Sequence, residues 1–536
     1  IKEIKYMKKI YLTLALAVGL MTTSCELDIE PVGYLPTDSA LETPSSFNAA
    51  RATLYAALKG CVSGNSFINS TDVQSDQFNA MAGFSNTLGD MYRWDFTTQT
   101  GSFSSVYGGY QGLISQANFI IDGYAKAKPE EKPDLFPDGD NVKGTEGLKI
   151  AHAALGDAYF MRAYAIFGLL EYYSPAYSET NATQPDLGAS YNLHFSENFN
   201  PASYPGRNTL EESYKQVNDD LDKAMQYVTT TGIYRSEYVT LDCIHALRAR
   251  VALNKKDYVT AYKEAELVIK NTTAKYALCS SASQLVNEWY YDGMQFQYDK
   301  KYNGTSESLF TLVSSSTSDL PSATGGVYLP KQVGSTPDYI PTKDLLSLYD
   351  AKDYRRSVFF TEVSVVTSTG AAGRVQCLNK FNKEGILWLM TSKDESAEFT
   401  HMPKVFRLPE MYLIAAEAYA LAPTPDLTKA AKYLNDFRKK RISGFKAVTY
   451  TDAATLLSDV KDERAREFVG EGFRFKDLKR YGMGVKRGVP QQRDLCSNPG
   501  SNTTDLNIAA TDYRMLWPIP KDEVEVNKKL KQNPGY

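Results

Sequence analysis

Two short stretches set aromatic rings beside polar side chains. In "LGDMYRWDFTTQTGSF", Trp94 is flanked by Tyr92, Arg93, Asp95 and Gln99; in "NEWYYDGMQFQY", Trp289, Tyr290 and Tyr291 stand between Asn287 and Asp292. A flat ring supplies an apolar face, while amides, carboxylates and a guanidinium supply hydrogen bonds around it. That combination grips a polar, hydrated ligand without reacting with it. Successive side chains cannot all point one way, so at most one or two rings of the second cluster are expected to reach a ligand. The competing reading of Trp94 is a plug that pins its loop to the scaffold. Tyrosine is abundant, with 37 residues against 24 Phe and 4 Trp, and most of these rings must pack between helices. Tyr328 and Tyr339, beside Gly- and Pro-rich turns, are secondary candidates. Trp388 has apolar neighbours and reads as core.

The densest run of acids and bases is "DERAREFVGEGFRFKDLKRYG", with Glu463, Arg464, Arg466, Glu467, Glu471, Arg474 and Asp477. Density alone invites general acid–base chemistry. Spacing argues for architecture instead: Glu463–Arg466 and Asp477–Arg480 are three apart, and Asp462–Arg466 four apart, the reach of ion pairs on one helix. Phe468, Phe473, Phe475 and Leu478 add an apolar face. Other catalytic signals are missing from the sequence. His152, His194, His245 and His401 are scattered, and neither a G-x-S-x-G elbow nor a P-loop occurs. The six cysteines form no CxxC, so metal-ligand spacing is absent, and they read as small core residues. No cofactor, no metal and no catalysis are expected.

Those candidate rings need a frame, and helical periodicity supplies it. "SSFNAARATLYAALKG" opens on a capping serine and stops at Gly60. "YGGYQGLISQANFIIDGYAKA" puts Leu113, Ala117, Ile120 and Ile121 on one face. Thr209 stands three residues before Glu212, a capping-box spacing. In "TLDCIHALRARVALNKKDYVTAYKEAELVIKN", Ala246, Ala249, Ala252, Ala261 and Ala265 let two helices approach closely, as in a tetratricopeptide hairpin. A second copy lies in "FRLPEMYLIAAEAYALAPTPDLTKAAKYLNDFRKKR". One hairpin cannot bury its own apolar face, so hairpins over about 147–271 and 404–441 are expected to stack. Residues 62–112, 174–208 and about 280–402 lack this period. They are rich in Gly, Ser, Thr, Asn and aromatics, with short strand-like runs at "SLFTLVSSS" and "SVFFTEVSVV". The expected fold is mainly α, a hairpin scaffold carrying irregular insertions that hold the ligand site.

The start of the chain decides location. "MKKIYLTLALAVGLMTTSC" has two lysines and then about a dozen apolar residues, short of the roughly 20 that cross a bilayer. Residues 1–24 read as an export signal, with translation starting at Met7. The small residues before Cys25 resemble a bacterial lipoprotein box, in which Cys25 takes the lipid; Thr22 departs from the usual leucine. Plain secretion with cleavage near Ser24 is the alternative. Residues 25–46, with Glu26, Asp28, Glu30 and three prolines, read as a tether, and 47–536 as the folded domain. Net charge is −4 and the pI about 5.8. No Lys/Arg-rich run exists to bind phosphates, which argues against a nucleic-acid partner.

Three blocks together resemble the SusD/RagB family: the tail "YRMLWPIPKDEVEVNKKLKQNPGY", the charged block of 462–482, and "FRLPEMYLIAAEAYA". The start of the chain and "SESLFTLV" fit as well. The resemblance implies an outer-membrane surface lipoprotein. Such a protein sits as a lid on a SusC-like TonB-dependent barrel and captures glycans, or in some members peptides, for import. It marks 462–536 as a C-terminal signature. It also places ligand-contacting aromatics before the helix that holds Tyr110 and Asn118, which brings Trp94 forward. A sugar offers C–H faces to such rings and hydroxyls to the polar groups around them. A lipid-anchored glycoside hydrolase is the competing class; it needs two carboxylates about 5–9.5 Å apart around a sugar cleft, and no local motif supports it.

Overall fold

The computed structural model describes residues 40–137, 146–197, 200–292, 306–314, 319–332, 334–386, 397–496 and 506–536. The expected signal, Cys25, most of the tether and Trp388 lie outside the described residues. The unit Glu42–Tyr536 is built on helices. Helix α1 (Pro44–Cys61) begins at a capping box in which the Thr43 hydroxyl accepts from Ser46 N, and Pro44 occupies its first turn. Next come α2 (Gly101–Ala127), α3 (Gly147–Tyr173) and α4 (Leu210–Tyr227). The Thr209 box closes both ways: Glu212 N donates to Oγ1 at 3.1 Å and Thr209 N to the Glu212 carboxylate at 2.8 Å. Then follow α5 (Leu241–Lys255), α6 (Tyr258–Ile269) and α7 (Ala282–Tyr290). The last set is α8 (Leu408–Leu421), α9 (Leu427–Arg441), α10 (Ala453–Glu467), α11 (Arg474–Arg480) and α12 (Lys521–Val526).

Packing follows the small residues. Helix α3 lies against α1, α2 and α4; α5 pairs with α6; α8 packs on both α6 and α9. Ala246, Ala249, Ala261, Ala265, Ala415, Ala416 and Ala418 are all fully buried. With only a methyl to accommodate, these backbones close on one another, and the α5–α6 and α8–α9 hairpins stack as one tetratricopeptide-like scaffold. On α2, Leu113, Ala117 and Ile120 are buried as their spacing predicts, and Ile121 is half-buried at the margin of the stripe.

The insertions contribute short antiparallel pairs. Strand β1 (Phe78–Ala80) pairs with β3 (Tyr339–Pro341), and β2 (Ser308–Thr311) with β6 (Lys404–Arg407). Strand β4 (Phe360–Val366) pairs with β5 (Ala372–Leu378), and β7 (Val485–Lys486) with β8 (Asn507–Ile508). Both strand-like runs of the sequence are among them.

The charged block is a buried lattice. Glu467 accepts from three guanidiniums: Arg355 at 3.0 Å, Arg407 at 2.9 Å and Arg441 at 3.1 Å. Arg441 also meets Glu307 at 2.9 Å, Arg355 meets Glu463 at 2.7 Å, and Arg464 meets Asp477 at 2.7 Å. The expected Glu463–Arg466 and Asp477–Arg480 pairs form, at 2.6 and 2.9 Å. Arg466 spends its other contact on Leu348 O rather than on Asp462. Burial favours neutral Glu463, but Arg466, Arg355 and Arg438 outweigh it and hold its carboxyl well below the usual range. Gly470 and Gly472 flank Glu471 at φ +77° and +75°, a backbone that only glycine adopts freely. The kink turns Glu471 onto Lys380 at 2.5 Å and Arg407 at 2.6 Å. The tail closes the molecule: Trp517 Nε1 donates to Gln74 Oε1 at 2.9 Å, and Asn533 Nδ2 donates to Tyr173 O and Trp517 O at 2.9 and 2.7 Å.

Candidate functional site

Trp94 is a plug, which corrects its expectation as a ligand platform. It caps the short helix Gly89–Arg93 in a left-handed conformation, φ +60°, and is 1 % exposed. Its indole N–H donates to Gln74 O at 3.0 Å, and its ring packs between Phe96 and Phe475, with centroids 6.1 and 6.0 Å away. Arg514 donates to its carbonyl at 2.9 Å. No ring face is left for a sugar.

The second cluster sits at the end of α7, and the helix divides it. Trp289, in the last turn of α7, goes inward while Tyr290 and Tyr291 stay half-exposed, and Asp292, beyond the helix at φ +48°, turns back inward. Trp289 is 2 % exposed. Lys380 Nζ lies 4.2 Å from its ring centroid, Lys404 Nζ 4.9 Å and Arg407 Cζ 4.8 Å, so cations cover the π faces. Among the described residues its Nε1–H has no hydrogen-bond partner. The indole lines a cavity of about 100 Å³, shared with Phe381, His401, Lys404, Glu471 and Phe473. Asp292 accepts from Lys404 Nζ at 2.8 Å and from Met402 N at 3.2 Å. Its burial favours the neutral acid, yet Lys404 and His401 prevail and hold the carboxyl below its ordinary range. Lys380, buried beside Trp289, is pulled down to about 8 by desolvation, with Glu471 opposing.

Tyr290 is the oriented member. Its hydroxyl donates to Val358 O at 2.6 Å and accepts from Asn379 Nδ2 at 2.5 Å, which fixes the ring while one side keeps solvent access. Tyr291 follows at the C-terminal cap of α7. The secondary candidates Tyr328 and Tyr339 are fully buried. Tyr328 packs on Phe78, and the Tyr339 hydroxyl donates to Thr87 O at 2.6 Å. Trp517 is buried, as its place in the tail signature implies. Among the described residues no group of three or more His, Cys, Asp or Glu side chains is arranged to hold a metal.

The sequence reading missed a groove. Tyr107, Gln111, Ser115 and Asn118 of α2 line it together with Tyr191, Tyr204 and the start of α12. The signal was present as a polar stripe on α2, Gln111 to Ser115 to Asn118 at steps of four and three. Nothing local tied that stripe to the insertion or to the tail.

Two family models match the chain. One, described as "SusD family", spans residues 285–536; the other, "Starch-binding associating with outer membrane", spans 27–253. The chain belongs to the SusD family. It is similar to "Starch-binding protein SusD" of Bacteroides thetaiotaomicron, 33 % identical over 132 residues, which is 25 % of this chain and 21 % of that protein. A full-length likeness is to "SusD-like protein P2" of Formosa agariphila, 23 % identical over 99 % of this chain and 100 % of that one. Among solved structures, a SusD superfamily protein of Bacteroides thetaiotaomicron matches with TM-score 0.71 at 26 % identity, covering 92 % of this chain and 100 % of its own. A putative sugar binding protein of Bacteroides vulgatus shares the fold, with TM-score 0.70 at 24 % identity and 93 % and 99 % coverage. The SusD family match over 285–536 contains most of α7 and the buried ion lattice, and the other match contains α1 to α4, most of α5 and the groove-lining stripe. No described helix of this SusD family member is long and apolar enough to cross a membrane.

Proposed function

We propose that this protein is a cell-surface, lipid-anchored nutrient-binding protein. It captures glycan without cleaving it and hands it to a SusC-like TonB-dependent outer-membrane transporter. Membership of the SusD family carries the reading. Its relatives described as starch-binding and sugar binding favour glycan over peptide as cargo. The anchor is Cys25. The contact surface is the end of α7: Tyr290, held by Val358 and Asn379, with Tyr291 beside it and Trp289 buttressing the pair from within. A glycan packs its C–H face on these half-exposed rings, and Asn379 lies within reach of hydroxyls.

Non-catalytic capture accords with the state of the carboxylates in the densest acidic block. Glu463 and Glu467 are buried and bound by arginines, so neither is free to donate or accept a proton from a glycosidic oxygen. A single shallow site of this kind binds at about millimolar Kd, near −4 kcal/mol, and a partner barrel raises the local concentration of captured chains. The test is incubation with a panel of polysaccharides, followed by affinity electrophoresis and analysis of products. Retardation without new reducing ends supports capture. New reducing ends would move the protein to the hydrolases, and retention of peptides alone would replace the glycan cargo.

A further inference from the structure

The groove beside α2 plays no part in the site at α7. Its volume is about 550 Å³, inside the roughly 300–1,000 Å³ that ligand clefts occupy. Its floor is firm: Tyr107, Ile114, Asn118 and Leu530 are buried. Its wall is fixed by side-chain bonds to backbone. Gln111 Nε2 donates to Ser190 O at 2.7 Å and Asn118 Nδ2 to Asn192 O at 2.9 Å. Ser190 Oγ donates to Pro205 O at 3.0 Å, and Asn527 Nδ2 reaches the same carbonyl at 2.8 Å. Three segments distant in sequence are thereby held as one surface, so a ligand meets it without an ordering cost.

The rim combines rings and acids. Tyr191 and Tyr204 are half-exposed, and Glu197, Asp522 and Glu523 are exposed. Among the described residues neither lysine nor arginine lines the groove, and the histidine there, His194, faces Asp122 at 3.1 Å. A carboxylate accepts hydrogen bonds from two neighbouring hydroxyls of one sugar ring, while a tyrosine face takes the ring's C–H side. The same carboxylates repel a ligand that carries its own negative charge.

We infer that this groove is a second saccharide site, selective for neutral sugar chains over uronic-acid or sulfated ones. The inference rests on the glycan-capture reading and adds to it a location and a charge preference. Two sites on one molecule let a single chain engage both, which raises avidity without a new contact.

The experiment is affinity electrophoresis of the folded protein through gels containing starch, xyloglucan or galactomannan, with polygalacturonate as the anionic comparison. For the neutral glycan that retards the parent, the variant Tyr191→Ala with Tyr204→Ala should lose at least threefold in retardation, its Tm unchanged. Should that pair perturb folding, the exposed pair Asp522→Asn with Glu523→Gln decides. It should weaken retention of the neutral glycan at least threefold and gain retardation by polygalacturonate. Parent-like behaviour of both variants, or retardation of the parent by polygalacturonate alone, overturns the inference. The variant Tyr290→Ala with Tyr291→Ala separates the two readings. If it alone abolishes binding, glycan capture stands and the groove falls. If no glycan retards the parent, both fall.

Discussion

Replacing Trp94 with alanine sets packing against binding at one residue. The side chain is almost wholly enclosed, between Phe96 and Phe475, and its N–H satisfies Gln74 O. Truncating a buried Trp costs about 3–5 kcal/mol in lost transfer energy and cavity. The vanished hydrogen bond adds about 1 kcal/mol. Unfolding entropy of about 2.1 cal/mol/K per residue gives about 1 kcal/mol/K for a unit of roughly 500 residues, so Tm should fall by about 4–6 °C. Differential scanning calorimetry measures the drop, and affinity electrophoresis on the same preparation measures glycan retention, which should match the parent. Trp94→Phe keeps most of the packing and should recover most of the loss. An unchanged Tm with abolished retention would refute the reasoning and return Trp94 to the ligand surface.

At α7 the reverse pattern is expected. Tyr291→Ala should reduce glycan retardation several-fold with little change in Tm, while Tyr290→Ala lowers both, because its hydroxyl bridges Val358 and Asn379; calorimetry and gels report each. Glu467→Ala takes the shared acceptor from three buried guanidiniums, leaving them in excess over their remaining carboxylates, and should cost about 3–5 kcal/mol, read as a lower Tm at neutral pH. Burial favours neutral Glu467, but Arg441, Arg407 and Arg355 dominate and depress its pKa. Its stabilisation is therefore complete above the ordinary glutamate pKa and is lost as pH falls toward the depressed one. The parent's advantage over the variant should shrink in strong acid. Asp72 behaves oppositely. Burial raises its pKa to about 8, with Gly472 N and Lys380 opposing, so the folded state holds a proton that the unfolded state releases above about 4. Stability from this group declines as pH rises from 4 to 8, and Asp72→Asn should be increasingly favoured over the parent across that window in Tm measurements. Cys25→Ser should abolish incorporation of labelled palmitate and release the protein from membranes.

The scaffold was legible because its causes are local. Thr209 and Glu212 announce a helix start by spacing alone, and the alanines of α5, α6 and α8 announce close helix pairs. The i,i+3 pairs of the charged block were equally local. Its central acceptor was not: Glu467 gathers Arg355 and Arg407 from 112 and 60 residues away. Trp94 was misread for the same reason. Its polar neighbours made it look like a platform, whereas the groups that cover it, Phe475 and Arg514, come from the far end of the chain. At α7 the sequence supplied the rings, and helical geometry chose which of them face outward. The groove was invisible because each of its three walls is unremarkable by itself.

The clasp of Trp517 on Gln74 joins residues 443 positions apart. At about 5–20 residues per second, translation separates these two side chains by roughly 20–90 s. Until then the socket around Gln74 has no lid. The corner around Gln74 is therefore the last part of the fold to set, and it sets only after the chain is made.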